Sequence, residues 1–208
     1  MNYSDKYKVI WIIPERTASR ATFELMKLLD FSNSHNHEIS MPREKGKDNY
    51  DLYVNIRNPY SRLSSLHAHW HYFEKHHTKD LNYKEWLEFV FSDPINNPTS
   101  NSFQGKPNKN YWHTRCHDAL KGMPMAPKYY VRYEHLESDL KSLPIIKDNM
   151  DILAEAFNKF IKVNKFKSDR PSWKSYYDQE IANYVYEKLE KDFKLFNYHK
   201  DSWKEDFK

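Results

Sequence analysis

Arg57 and Ser65 stand eight positions apart in the run NIRNPYSRLSS, residues 55–65, and together they could hold a phosphate. An arginine offers two parallel N–H donors to a phosphate, and a serine hydroxyl reaches the same group if a helix folds back beside a strand. The flanking residues supply that layout. The preceding DLYVNI alternates Leu52, Val54 and Ile56 with Tyr53 and Asn55, which predicts a strand, and Asn58-Pro59 then gives an N-cap followed by proline at the first helical position. The same residues also fit a strand-end arginine in a surface ion pair and a serine on a helix face.

A second cluster lies near the N-terminus. KYKVIWII, residues 6–13, reads as an apolar strand bounded by Pro14, and PERTASRATFELMKLL follows as a turn entering an amphipathic helix with Ala18, Thr22, Leu25 and Leu29 at helical spacing. The turn sets Arg16, Thr17, Ser19 and Arg20 beside a helix N-terminus, where unpaired N–H groups and the helix dipole favour an anion. Ordinary capping by Thr17 or Ser19 with two solvated arginines accounts for the same residues. The three glycines, Gly46, Gly105 and Gly122, fall outside both motifs. GxxxxGK[ST] and GxGxxG are therefore absent, which argues against ordinary ATP or GTP hydrolysis and against Rossmann dinucleotide binding.

RTASRA at 16–21 resembles the 5′-phosphosulfate loop of sulfotransferases, whose common form is a lysine, two small residues, Ser/Thr and a polar residue. IRNPYSRLSS resembles their 3′-phosphate motif. The resemblance implies that Arg57 and Ser65 hold the 3′-phosphate of 3′-phosphoadenosine 5′-phosphosulfate (PAPS), while Arg16, Thr17, Ala18, Ser19 and Arg20 surround its 5′-phosphosulfate. KYYVRYEHLESDL (128–140) looks like the strand and acidic turn that follow the acceptor region in the family, and YYDQEIANYVYEKLEKDFKLFNY (176–198) resembles its closing helix. The motifs are most similar to the carbohydrate and heparan-sulfate type, including the uronyl 2-O-sulfotransferases, whose loop also contains Thr-Ala-Ser. Those enzymes carry His-x-His ahead of the 3′-phosphate strand. His35-Asn36-His37 stands in the comparable interval, so the resemblance assigns the catalytic base to His37, with His35 and His113 as substitutes. In HTRCHDAL, His113 and His117 resemble in position an acceptor-side His-x-x-x-Gln element, with His117 in place of glutamine. Lys174 or Trp173, in SDRPSWKSYY (168–177), would close over the cofactor as comparable C-terminal loops do.

Two departures bear on the chemistry. Arg16 stands where the family usually has lysine, and Glu15 is an extra residue before the loop. Arginine keeps the charge that stabilises the bridging oxygen as the S–O bond breaks, but it does not donate a proton near neutral pH. The resemblance implies an α/β protein with a P-loop NTPase-like three-layer fold, a central parallel sheet flanked by helices, forming a single sulfotransferase-like domain over 1–208. It would move a sulfonyl group from PAPS to a hydroxyl or amine of a small-molecule or carbohydrate acceptor, releasing PAP, with no metal. A PAP- or polyanion-binding module that kept the phosphate sites and weakened in catalysis is the alternative that Arg16 opens.

Composition is compatible with this. A chain of 208 residues is long enough for one domain with a sizeable core, and alternating strand and helix segments give an α/β reading. A net charge of +4 suits an anionic cofactor and is too mild to demand nucleic acid. Cys116 is the single cysteine, which excludes an intrachain disulfide framework, and no cysteine-enzyme signature surrounds it. MNYSDKYKV has no cleavable apolar segment and no run approaches the roughly 18 apolar residues of a membrane span, so a free-standing cytoplasmic domain is expected.

The positioning elements follow from pattern. Leu63, Leu66, Trp70 and Phe73 mark the buried stripe of the helix after Pro59, which leaves His67, His69 and His71 on other faces as a solvated histidine surface. His67 and His71 have the i, i+4 spacing of zinc ligands, but HEXXH is absent and no third ligand is evident. Residues 82–91 read as a short helix. Pro94, Pro98, Gly105 and Pro107 mark 92–112 as a long loop of the kind that shapes an acceptor site. Ile146, Met150, Leu153, Phe157 and Phe160 predict one amphipathic helix, and no internal repeat or second-domain linker is visible.

Overall fold

The computed structural model describes residues 2–32, 49–72, 80–92, 116–120, 125–163 and 171–205. The chain divides into two compact units, each assembled from two stretches: Met1–Arg57 with Ala119–Arg170, and Asn58–Asp118 with Pro171–Lys208.

The first unit is α/β. Its four strands, β1 (Asn2–Ser4), β2 (Val9–Ile12), β3 (Asp51–Ile56) and β4 (Tyr129–Arg132), lie side by side in chain order. β2, β3 and β4 are parallel, with Ile12 opposite Val54 and Ile56 opposite Arg132. The β1 edge runs antiparallel to β2, a short polar strand that the apolar pattern does not reveal. Helix α1 (Ser19–Leu28) follows β2. After β4 come α4 (Leu136–Ser142), α5 (Pro144–Lys147) and α6 (Met150–Val163), and α6 packs against α1. The core under them gathers Trp11, Tyr53 and Val131 from three strands with Met26 of α1 and Leu153 and Ala156 of α6.

The strand predicted over DLYVNI is β3, and Leu52, Tyr53, Val54, Asn55 and Ile56 are all buried. An interior strand of a parallel sheet is covered on both faces, so polarity along it marks a specific hydrogen bond rather than solvent. The single helix predicted from Ile146 to Phe160 is two: Ile146 belongs to α5, α6 starts at Met150, and Met150 is 43% exposed.

The second unit is helical among the described residues, with α2 (Pro59–Tyr72), α3 (Tyr83–Phe91) and α7 (Gln179–Leu195), and short 3-10 turns at Trp173–Tyr176 and Ser202–Lys204; the 3-10 turn His117–Leu120 spans the boundary between the two units' stretches of chain. α2 begins as its sequence predicts. The Asn58 side-chain oxygen accepts from the Tyr60 N–H at 2.9 Å, and Pro59, which has no N–H to satisfy, takes the first helical position. Asn82 and Glu85 form a capping box on α3, and Asp178 caps α7. Leu63 and Leu66 of α2 meet Trp86, Leu87 and Val90 of α3 and Val185, Leu189 and Phe193 of α7 in one core. Trp70's side chain and Phe73 lie outside the described residues.

The solvated histidine surface holds for His71, which is exposed, and fails for His67, which is buried. Tyr83, Trp86 and Tyr176 close on the His67 ring at centroid distances of 5.1, 5.2 and 5.6 Å, because α3 and the Trp173–Tyr176 turn both pack on that side of α2. No helix among the described residues is long and apolar enough to cross a membrane.

Candidate functional site

The turn between β2 and α1 is held in an unfavourable backbone shape. Arg16 has φ 64° and Ala18 has φ 67°, while Thr17 between them does not share the positive angle. A residue with a Cβ costs about 1–2 kcal/mol in the left-handed region, so such a turn persists only where its surroundings fix it. Four of its carbonyls are fixed, those of Pro14, Arg16, Thr17 and Ala18. The Thr17 hydroxyl donates to the Pro14 carbonyl at 2.5 Å, Arg57 Nη1 to the Arg16 carbonyl at 3.2 Å, and Asn55 Nδ2 to the Thr17 carbonyl at 2.7 Å. The Ala18 carbonyl accepts from both the Thr22 N–H and the Thr22 hydroxyl, at 3.1 and 3.2 Å.

The consequence is stereochemical. In a trans peptide the N–H points opposite to the C=O, and the structure contains no cis bond among its described residues. Each clamped carbonyl of Arg16, Thr17 and Ala18 therefore aims the next N–H, of Thr17, Ala18 and Ser19, away from the clamp. Successive N–H groups with alternating backbone handedness form a concavity that accepts anions. Helix α1 starts at the same place with Ala18 as N-cap, no side-chain cap and no acidic residue in its first turn, so the positive end of its dipole adds to the effect.

The ends of the neighbouring parallel strands complete the surroundings. Arg57 directly follows β3, is half-buried, and lays its guanidinium 3.9 Å from the ring centroid of Tyr133, the residue after β4. Tyr133 is 44% exposed. Arg132 beside it is held by a two-pronged ion pair to Asp139, at 2.8 and 2.7 Å, and its N–H reaches the same carboxylate at 2.8 Å. Burial alone would raise the Asp139 carboxyl; the Arg132 side-chain and backbone bonds outweigh it and hold the group below the usual carboxylate range. Loop, arginine and tyrosine thus come from the carboxyl ends of three adjacent parallel strands, where open α/β sheets bind their ligands.

Of the residues expected to bind, Arg16, Thr17, Ala18, Ser19, Arg20 and Arg57 are brought together in this unit. Arg16, Ala18 and Ser19 are half-buried and Arg20 is exposed. Thr17 is fully buried with its hydroxyl on the Pro14 carbonyl, and neither it nor Ser19 caps the helix. Ser65 is half-buried on α2, and Lys174 donates to the Lys204 carbonyl at 3.2 Å; both belong to the other unit. His117 lies in that unit too, its Nδ1 2.5 Å from Asp192 of α7, whose carboxylate also accepts the N–H groups of Cys116 and His117. His35, His37, His113 and residues 93–112 lie outside the described residues. Sequence reasoning missed Trp11, Asn55, Thr22, Tyr133 and Asp192. The one available signal was Asn55, an amide within the run 52–56.

The arrangement defines an α/β unit whose strand-to-helix turn is held in left-handed backbone geometry at Arg16 and Ala18, with the Arg57 guanidinium bonded to that turn. Comparison with protein families, curated proteins and solved structures finds no match to this chain. Among the described residues no group of three or more histidine, cysteine or acidic side chains is disposed to hold a metal ion.

Proposed function

We propose that the protein is a PAPS-dependent sulfotransferase acting on a hydroxyl or amine, with a carbohydrate acceptor as the motif resemblance suggests. The observation that carries the reading is the bond from Arg57 to the Arg16 carbonyl, which joins two motifs 41 residues apart at one turn with left-handed Arg16 and Ala18. The uncapped, acid-free start of α1 fits a 5′-phosphosulfate. In this reading Arg57 takes the 3′-phosphate, and the exposed Tyr133 ring offers the purine a surface for stacking.

The chemistry asked of the chain is electrostatic and positional. The acceptor oxygen or nitrogen attacks sulfur in line, the bond from sulfur to the bridging oxygen breaks with its electron pair going to PAP, and the acceptor proton goes to a base. His37 holds that last role by resemblance. Arg16 and the N–H groups of Thr17, Ala18 and Ser19 stabilise the charge that develops on the leaving phosphate. Because Arg16 replaces lysine, that stabilisation involves no proton transfer.

Calorimetry and a transfer assay test the reading. PAP should bind well above adenosine 5′-phosphate, and Arg57→Ala should reduce PAP affinity by about 1.5–3 kcal/mol, roughly 10- to 150-fold. Equal affinities for the two nucleotides, or no loss on Arg57→Ala, would remove the assignment. Radiolabelled PAPS incubated with a cell extract should label an acceptor. PAP binding without transfer, including after Arg16→Lys, would select the weakened binding module instead.

A further inference from the structure

Asn55 is fully buried in β3, a position where packing alone would favour an aliphatic side chain, and an unpartnered amide there would be costly. Its bonds have one direction. Trp11 Nε1 can only donate, and it donates to Asn55 Oδ1 at 2.8 Å, which fixes the oxygen end of the amide. The NH2 end must then face the turn, where it donates to the Thr17 carbonyl and to the Thr22 hydroxyl, both at 2.7 Å. Thr22, having accepted from Asn55, has its own hydrogen left for the Ala18 carbonyl. The relay therefore runs from a strand tryptophan through Asn55 to two consecutive peptide carbonyls of the turn, and its polarity is set at Trp11.

We propose that Asn55 is the positioning residue of the anion-binding turn: by holding the Thr17 carbonyl inward it turns the Ala18 N–H outward, toward the 5′-phosphate end of the bound nucleotide. The conformational half stands on the hydrogen bonds alone; the ligand half rests on the sulfotransferase reading. Without Asn55, nothing in the described structure holds the Thr17 carbonyl inward. The Thr17–Ala18 peptide is then free to relax, and Ala18 leaves the left-handed region that its Cβ disfavours.

Two measurements on wild type, Asn55→Ala and the near-isosteric Thr22→Val test it. The first compares PAP with adenosine 3′-phosphate by calorimetry, since the two differ only in the group that meets the turn. Affinity for the 3′-phosphate should stay within about twofold throughout, while the advantage of PAP over it should fall about tenfold or more in Asn55→Ala and less in Thr22→Val. A merely structural role would weaken both nucleotides together, and an unchanged ratio in folded Asn55→Ala overturns the proposal. The second is a nucleotide-free crystal structure of each variant. Ala18 should lose its positive φ in Asn55→Ala; a turn identical to wild type overturns the proposal whatever the protein binds. If Asn55→Ala does not fold, Thr22→Val carries both readouts. Wild type that binds neither nucleotide refutes the sulfotransferase reading, and the crystal structures then decide the role of Asn55.

Discussion

The two units bury polar side chains for different ends. In the sheet unit, Trp11, Asn55, Thr17 and Thr22 direct their bonds at one short turn and hold it in a conformation that its own residues disfavour. In the helical unit, buried hydroxyls and a carboxylate tie elements to one another. The Tyr177 hydroxyl donates to the Tyr60 carbonyl at 2.8 Å and is paired with the Tyr83 hydroxyl, while Asp192 of α7 gathers three donors from Cys116 and His117. Burial pushes the Tyr83 and Tyr177 phenols well up, so both remain neutral donors. The same kind of bond stores strain in one place and fastens helices in the other. Strain collected at a turn with outward N–H groups is what a binding site requires; fastening alone is what a scaffold requires.

Removing a fastener should cost most. Asp192 is 1% exposed, and Asp192→Ala leaves three donors without their acceptor in the interior. Stability should fall by about 3 kcal/mol or more, read from the urea midpoint. A loss below about 1 kcal/mol would mean that the Cys116–His117 segment is not secured by this carboxylate, and the contrast between the units would weaken.

His67 breaks the helical unit's own rule, because neither ring nitrogen has a hydrogen-bond partner among the described residues. Burial pushes its pKa down to about 4 from 6.5; the His71 charge acts in the same direction, and the Leu81 backbone opposes it without reaching hydrogen-bond geometry. The sign follows directly. Between pH 6.5 and 4 the unfolded chain takes up a proton that the folded chain refuses, so stability is constant above about 6.5 and declines as pH falls toward 4. With screening by nearby solvent the decline should be on the order of 1–2 kcal/mol. Urea titrations at several pH values should show it in wild type and show it flattened in His67→Leu; parallel curves for the two proteins would assign the acid sensitivity elsewhere.

The pattern of what the sequence disclosed matches this division. The Asn58-Pro59 start of α2, the 82–91 helix and the strand-turn-helix around RTASRA were legible because caps, proline and apolar period act over a few residues. Of the parallel strands, β2 was legible as an apolar run and β3 from its alternation, while β4 was expected only through the resemblance of residues 128–140. Asn55 was not legible as a clamp, since its partners Trp11, Thr17 and Thr22 are 33 to 44 residues away and only strand register brings them together. His67 was assigned to solvent because helical period locates one packed stripe, and α2 is covered on a second side by Tyr83, Trp86 and Tyr176. Asp192 was not legible as a fastener, since its partners Cys116 and His117 stand 76 and 75 residues away.

The smallest predicted effect isolates the strain itself. Alanine at a φ of 67° costs about 1–2 kcal/mol that glycine does not incur, and glycine is also the better N-cap. Against this, glycine loosens the unfolded chain by roughly 0.4–1 kcal/mol. Ala18→Gly should therefore leave stability unchanged or raise it by about 0.5–1 kcal/mol, the reverse of the ordinary alanine-to-glycine change. Ala156, buried within α6, supplies the reference: Ala156→Gly should cost about 1 kcal/mol through helix propensity and lost packing. Thermal or urea unfolding of the pair decides the matter. Equal destabilisation by both would mean that Ala18 carries no strain for Asn55 to hold, and the turn would then differ from the helical unit's fastened segments only in sequence.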